Sequence, residues 1–243
     1  ASLLFFSLGF LLTANAGEFT SVSNGEVVLA NSPFSITHLL IRISMLATFV
    51  VPSFIANTII KDTRYKFDSI LFSTPISEKN YLSGRFLGGF AALSISLFLA
   101  PLGMYLGVYW PWAEQSLLGP NSLNIYLSVY CNILLPSIFV VSSFIFLAVV
   151  VSQKMIYPYL SSMLLLGLFS LSAFNDSLSA HLDPFMLDLF MQITEYWTVI
   201  EFNKNTVAYS AYASNRIIWI SIGVFAFALS LLLFSFDKVK SFF

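Results

Sequence analysis

Long apolar stretches alternate along the chain with short polar or charged connections, and six of them stand out. They run from Ser2 to Ala14, Phe34 to Ile60, Tyr81 to Val108, Leu123 to Val151, Ile156 to Phe174 and Asn215 to Phe236. Within them, the windows Phe86 to Ala113, Gln115 to Gln153, Met155 to Asn175 and Ile217 to Phe236 carry no charge at all. Each holds roughly the 20 helical residues that cross a bilayer core. Porin-like two-residue alternation is absent, so the spans are read as helices and not barrel strands. The pattern predicts an all-α integral membrane protein: a six-helix transmembrane bundle with a truncated first helix, a cytoplasmic coupling helix and an external amphipathic helix. All of 1–243 is one transmembrane domain, with a cytoplasmic segment at 62–77 and an external segment at 175–212.

The first stretch is too short to cross as a helix, and is expected to be the end of a longer one. A signal peptide is the alternative, since Ala14-Asn15-Ala16 fits the small-residue pattern of a cleavage site, but no basic residue precedes the apolar core.

Composition agrees with the pattern: 58% of residues are hydrophobic and 9% charged, with 26 phenylalanines, which places the chain in the membrane class. A formal net charge of −1, with no basic stripe to neutralise a run of phosphates, gives no case for nucleic-acid binding. The single cysteine, Cys131, excludes an intrachain disulfide and is expected to be a packed thiol in mid-span. No phosphate-binding Gly-x-x-x-x-Gly-Lys-Ser/Thr loop occurs, no nucleophile stands with its base, and His38 and His181 are not at metal-ligand spacing. No catalytic, cofactor or metal site is therefore assigned to this chain.

Positive charge sets the orientation, because Lys and Arg in short loops stay on the cytoplasmic side. Lys61, Arg64, Lys66, Lys79 and Arg85 flank the second connection, Lys154 the fourth, and Lys238 and Lys240 the C-terminal end. The other connections carry acid: Glu18 and Glu26, then Glu114, then Asp176, Asp183, Asp188, Glu195 and Glu201. Only Lys204 and Arg216 break the sorting. Six spans with both ends cytoplasmic in a cell inner (plasma) membrane fit this distribution. Tyr109, Trp110, Trp112, Tyr196, Trp197, Tyr212 and Trp219 are expected to form an aromatic belt at the outer interface.

Five of the eleven basic residues lie within or against the segment from Asp62 to Gly84, a charged island between two apolar spans. Phe67, Ile70 and Leu71 recur there at helical spacing while Asp68 and Ser69 face elsewhere, as in a short helix lying along the membrane face. Thr74-Pro75 ends that helix, and Ser77 with Glu78 supplies an N-cap and first-turn acid for the next span. The product is an elbow that a push from the cytosol would move.

Asp62, the Phe67 to Pro75 run ending in Leu71-Phe72-Ser73-Thr74-Pro75-Ile76, and Tyr81-Leu82-x-Gly84-Arg85 resemble the segment between the second and third spans of type 2 ABC transporter permeases. Leu182-Asp183-Pro184-Phe185, Glu195-Tyr196-Trp197-Thr198-Val199 and Asn203-Lys204-Asn205-Thr206 resemble a narrower subgroup, whose permease spans are fused to a C-terminal zinc aminopeptidase-like domain. The chain is similar to the N-terminal permease half of such proteins. The resemblance implies a permease half of an exporter that holds no nucleotide itself, coupled through Asp62, Phe67, Asp68, Ile70, Leu71, Ser73, Thr74 and Pro75 to a cytoplasmic ABC ATPase that binds ATP-Mg. It further implies a second permease half, as a homodimer, a heterodimer or part of a longer chain, all in the lipid bilayer. A non-transporting membrane anchor or scaffold for a fused or associated peptidase is the alternative.

Other residues have two readings each. Arg42, inside the second span, either marks a path or pairs structurally with an outer acid. Asn124, Ser128 and Asn132, with Pro136, form a four-residue stripe that either lines a path or bonds a neighbouring helix. Gly84-x-x-x-Gly88 and Gly103-x-x-x-Gly107 both predict close helix packing on the third span. Asp183-Pro184 is expected to open an external helix whose polar stripe is Asp188, Gln192 and Glu195, opposite Phe185, Leu189 and Ile193, acting as a gate or as a cap over the bundle.

Overall fold

A computed structural model describes residues 2–15, 22–23, 26–64, 76–172 and 182–235, with the backbone alone at 22, 23, 26, 62–64 and 172. These residues are helical apart from turns and one small antiparallel pair, in which Val22 faces Val27 and Ser23 faces Glu26. Among the described residues three helices are long and apolar enough to cross a membrane: Glu78–Gly107, Leu123–Ser152 and Tyr209–Leu233. A fourth crossing is reached if Pro33–Ala47 and Val51–Lys61, bent by 55° against each other, count as one span. Two further apolar helices are shorter, so the six-span expectation is met in part.

The first helix, α1 (Ser2–Ala14), has the expected limits and lies along α5 (Glu78–Gly107). Glycines make that packing close: Gly9 sits against the Ala100 carbonyl, Gly103 against that of Phe6 and Gly107 against Thr13. Thr13 Oγ1 then donates across the seam to Met104 O at 3.0 Å. Small residues and an interhelical hydrogen bond are what hold helices together where lipid offers no hydrophobic drive. Gly84 and Gly88, by contrast, have nothing within 4 Å of a Cβ position, so of the two paired-glycine motifs only the second is a packing seam among the described residues.

Ser32 caps α2 (Pro33–Ala47) by accepting from Ser35 N at 3.2 Å, with Pro33 at its first position. The second span is not the straight run expected from Phe34 to Ile60. Thr48, Phe49 and Val50 each donate three residues back, and α3 (Val51–Ile55) then α4 (Asn57–Arg64) continue at the new angle. Pro52 explains the bend: it has no N–H for the Thr48 carbonyl, and its ring would strike that group in a straight helix.

The fourth span is continuous but changes pitch. It consists of α6 (Leu123–Val129), a π turn at Tyr130–Leu134 and α7 (Leu135–Ser152). Pro136 follows the wide turn directly, and the extra residue removes the clash of the proline ring with the preceding turn. Tyr130 ties this point to α5 by donating to Ser94 O at 2.7 Å. At its far end α7 closes on Gln153, which takes φ 54° and donates to Val149 O at 2.8 Å, so that α8 (Ile156–Ser172) folds straight back.

The core sits around α7, which α3, α5, α8 and the last helix, α11 (Tyr209–Leu233), all contact. Its centre is aromatic. Phe86 of α5 lies 5.0 Å from Phe146 of α7 and 4.5 Å from Phe227 of α11, ring centre to centre. Gly223 brings α11 onto α7, where a Cβ would come within 3.3 Å of the Val140 backbone. The two short helices before it, α9 (Leu187–Thr194) and α10 (Val199–Lys204), rest on the start of α2.

Candidate functional site

The coupling segment is the first site expected from the sequence. Asp62 lies in the last turn of α4. Phe67, Asp68, Ile70, Leu71, Ser73, Thr74 and Pro75 lie outside the described residues. On the far side, Ser77 caps α5 as expected, accepting from Asn80 N at 3.3 Å, with Glu78 in the first turn. The helices that enter and leave the segment touch each other, because α4 packs on α5 at Gly89, where a Cβ would come 2.9 Å from Thr58 Cγ2.

Polar residues on the membrane-length helices form the second site. Asn124, Ser128 and Arg42 are exposed, and Asn132 is half-buried, donating to Ser128 Oγ at 3.2 Å. Along the fourth span the stripe thus bonds within itself and turns outward. Cys131 is exposed beside it, which corrects the expectation of a packed thiol. The π turn supplies the reason, since it rotates this part of the span out of register with the buried face that follows.

Around α9 and α10 the geometry differs from what the sequence implied. Asp183 does not cap a helix that starts at Pro184. Its Oδ1 accepts from Phe185 N at 2.8 Å and its Oδ2 from Asp188 N at 2.7 Å, so the carboxylate closes a turn around Met186, and α9 begins only at Leu187. Met186 sits at φ 72°, a left-handed conformation uncommon for this residue, with its side chain fully buried. Burial pushes the Asp183 carboxyl up to about 6, while the N–H groups of Asp188, Phe185 and Met186 pull the other way. Gln192 and Glu195 are exposed and Asp188 is half-buried, so the polar stripe lies where expected. Of the expected apolar face Phe185 is buried, while Leu189 and Ile193 are only partly covered; Met186, Phe190 and Thr194 complete the buried side. Phe190 and Phe202 clasp Phe34 at the start of α2, with ring centres 5.3 and 4.3 Å away, and His38 stacks on Phe34 at 5.7 Å.

Beneath this cap lies a buried polar cluster that the sequence reading missed. Arg216, 1% exposed, donates from Nε and Nη2 to Asn215 Oδ1 at 3.1 and 2.6 Å, from Nη1 to Ser137 Oγ at 2.8 Å and from Nη2 to Pro184 O at 3.3 Å. Asn215 Nδ2 donates to Asp183 O at 3.0 Å. A single guanidinium therefore joins α11, α7 and the turn that leads into α9. Its one visible signal in the sequence was its place on the acidic side of the charge sorting. Two residues of the expected aromatic belt, Tyr212 and Trp219, are buried, whereas Tyr109, Trp110, Trp112 and Tyr196 are exposed and Trp197 is half-buried.

Two asparagines lock the segments before α2 to α10 and to the connection between α5 and α6. Asn203 accepts from Leu29 N at 2.8 Å and donates to Val27 O at 3.0 Å, as a strand partner would. Asn31 likewise donates to Gly119 O at 2.8 Å and accepts from Gly119 N at 2.6 Å. A capping box, Thr198 with Glu201, starts α10; the bonds from the Thr198 N–H and hydroxyl hold the Glu201 carboxyl below its ordinary range. Among the described residues no three His, Cys, Asp or Glu side chains converge as metal ligands would.

No protein-family profile, no curated protein and no solved structure matches the chain.

Proposed function

We propose that the chain is a membrane-spanning permease half of a type 2 ABC exporter, moved by ATP-Mg hydrolysis on a separate cytoplasmic ATPase subunit. The observation that carries this reading is the packing of the two helices that flank the 62–77 segment. Both of its ends enter helices that pack on each other at Gly89 and Thr58. A displacement of the segment would reach the bent second span through α4 and the third span through α5 together. Pro52 gives the second span a place to flex, and α5 carries the load onto α1 and the aromatic centre.

In this reading α1, the bent α2–α3 pair, α5, the α6–α7 span, α8 and α11 are the six crossings, with both chain ends cytoplasmic in the inner (plasma) membrane. The outward stripe of Asn124, Ser128 and Asn132, with Arg42, supports a second permease half. Polar groups on that face would be costly against hydrocarbon and are accommodated where two halves enclose a path. The external helices α9 and α10 then act as an outer gate.

The test is a pull-down of the intact complex in mild detergent, wild type against Leu71→Asp. Recovery of an ATPase with the wild type and its loss in the variant is the expected result. Absence of an ATPase from both preparations would overturn the reading and favour a membrane anchor for a peptidase.

A further inference from the structure

We propose that the groove between α7 and α8 holds an anionic phospholipid, its acyl chain laid between the two helices and its phosphate at Lys154. The groove has a volume of about 760 Å³, within the range of sites that enclose a small organic ligand. It exists because Gln153 turns the chain in the left-handed conformation, so that α8 returns along α7 from one short connection.

Each wall is one helical stripe. Phe144, Leu147 and Val151 recur at helical spacing along α7, and Leu160 and Leu164 along α8. From Phe144 to Ser152 the wall is about 12 Å long. Val151, Leu160 and Leu164 are exposed, so the groove opens on the outer surface of the bundle and not into the core.

Polar groups collect at one end of this apolar track. Lys154 lies in the connection, Tyr157 in the first turn of α8 and Ser161 one turn further on. Among the described residues none of these three side chains has a hydrogen-bonding or ionic partner, whereas Ser152 beside them donates its proton to Ala148 O at 2.6 Å. Lys154 is also the one charged residue in the described lining. An unpaired ammonium with two free hydroxyls, at the end of an apolar groove, suits an anionic oxygen head on an apolar tail. The same charge complementarity separates a lipid from a partner helix. A helix in the groove would have to bring a carboxylate to that one end, while an anionic phospholipid carries its charge next to its acyl chains. The permease reading is not needed for this site.

Native mass spectrometry of the full chain in detergent, loaded with phosphatidylglycerol or with phosphatidylcholine of the same acyl chains, tests the site. Wild type is expected to keep phosphatidylglycerol about fivefold better than Lys154→Gln does, with Lys154→Arg retaining it. Leu160→Trp, which fills the groove, is expected to lower retention of both lipids. Both positions are exposed, so neither change disturbs the fold. Equal retention of phosphatidylglycerol by wild type and by Lys154→Gln would overturn the head-group assignment, and equal retention by Leu160→Trp would overturn the groove. Displacement by millimolar inorganic phosphate alone would leave the acyl chain no part in binding and overturn the proposal. So would cross-linking of Leu160→Cys to a second copy of the chain or to a co-purified subunit, undiminished by added phosphatidylglycerol, which would assign the groove to a protein contact. Lipid retention is read without any ATPase, so this result stands or falls separately from the pull-down.

Discussion

Arg216 donates to Ser137 Oγ at 2.8 Å, joining the last helix to the fourth span at the residue after Pro136. The same guanidinium reaches the Pro184 carbonyl, so its removal would take a donor away from buried acceptors on three elements. Arg216→Leu is expected to cost about 2–4 kcal/mol of stability, read by denaturant titration in detergent. Arg216→Lys should recover only part of it, because one ammonium cannot span acceptors arranged for a planar fork. A lysine variant as stable as wild type would show that charge alone matters there.

Asp183 gives a pH dependence of definite sign. Its carboxyl is raised to about 6 from an ordinary value of 3.8, mainly by burial, with Asp188 adding to the shift and Arg216 carrying the opposing charge nearby. Between these limits the folded chain holds a proton that the unfolded chain has released. Its contribution is thus fully present only below about pH 3.8 and is lost as the pH rises from there through about 6, by up to roughly 3 kcal/mol. Asp183→Asn should flatten stability across this window in a pH series of melting curves, while losing one acceptor for the Asp188 N–H.

The two glycine motifs on α5 should respond differently. Gly103→Ala places a methyl group against the Phe6 carbonyl and forces α1 away, at an expected cost of about 2 kcal/mol or more. Gly84→Ala and Gly88→Ala meet open space and should be neutral or slightly stabilising, by up to about 1 kcal/mol, through helix propensity. Thermal unfolding of the three variants side by side checks the contrast.

Asn31 and Asn203 each satisfy one backbone donor and one backbone acceptor. Replacing either by Asp keeps the shape but faces a carbonyl with a carboxylate, and should cost about 1–3 kcal/mol, more at the buried Asn31 than at Asn203. Faster limited proteolysis between residues 26 and 33 and around Gly119, with the long helices intact, is the expected signature.

What the sequence made legible was local. The limits of α1, the Ser77–Glu78 start of α5 and the Leu123 start of the fourth span follow from caps and apolar runs whose causes lie within a turn. The bend before Pro52 was hidden because the apolar run continues through it, so composition saw one span where the proline made two segments. The start of α9 moved because the Asp183 side chain closed a turn around a buried Met186, a choice made by the core and not by the dipeptide. Arg216 was visible as a charge on the unexpected side, but its partners Ser137 and Pro184 lie 79 and 32 residues away, beyond any periodicity. The outward Asn124–Asn132 stripe was legible as a stripe, and its direction was not, because direction depends on the π turn.

That π turn makes the fourth span two helices sharing one axis. An inserted residue adds about 100° of rotation, so Asn124 and Ser128 face outward while Ser137 faces Arg216 on the last helix. Deleting a single residue between Tyr130 and Leu134 would restore a uniform screw and swing one half against the other. Ser137 would then leave Arg216, and the outward stripe would wind into the core, so two contacts far apart along the span depend on one surplus residue.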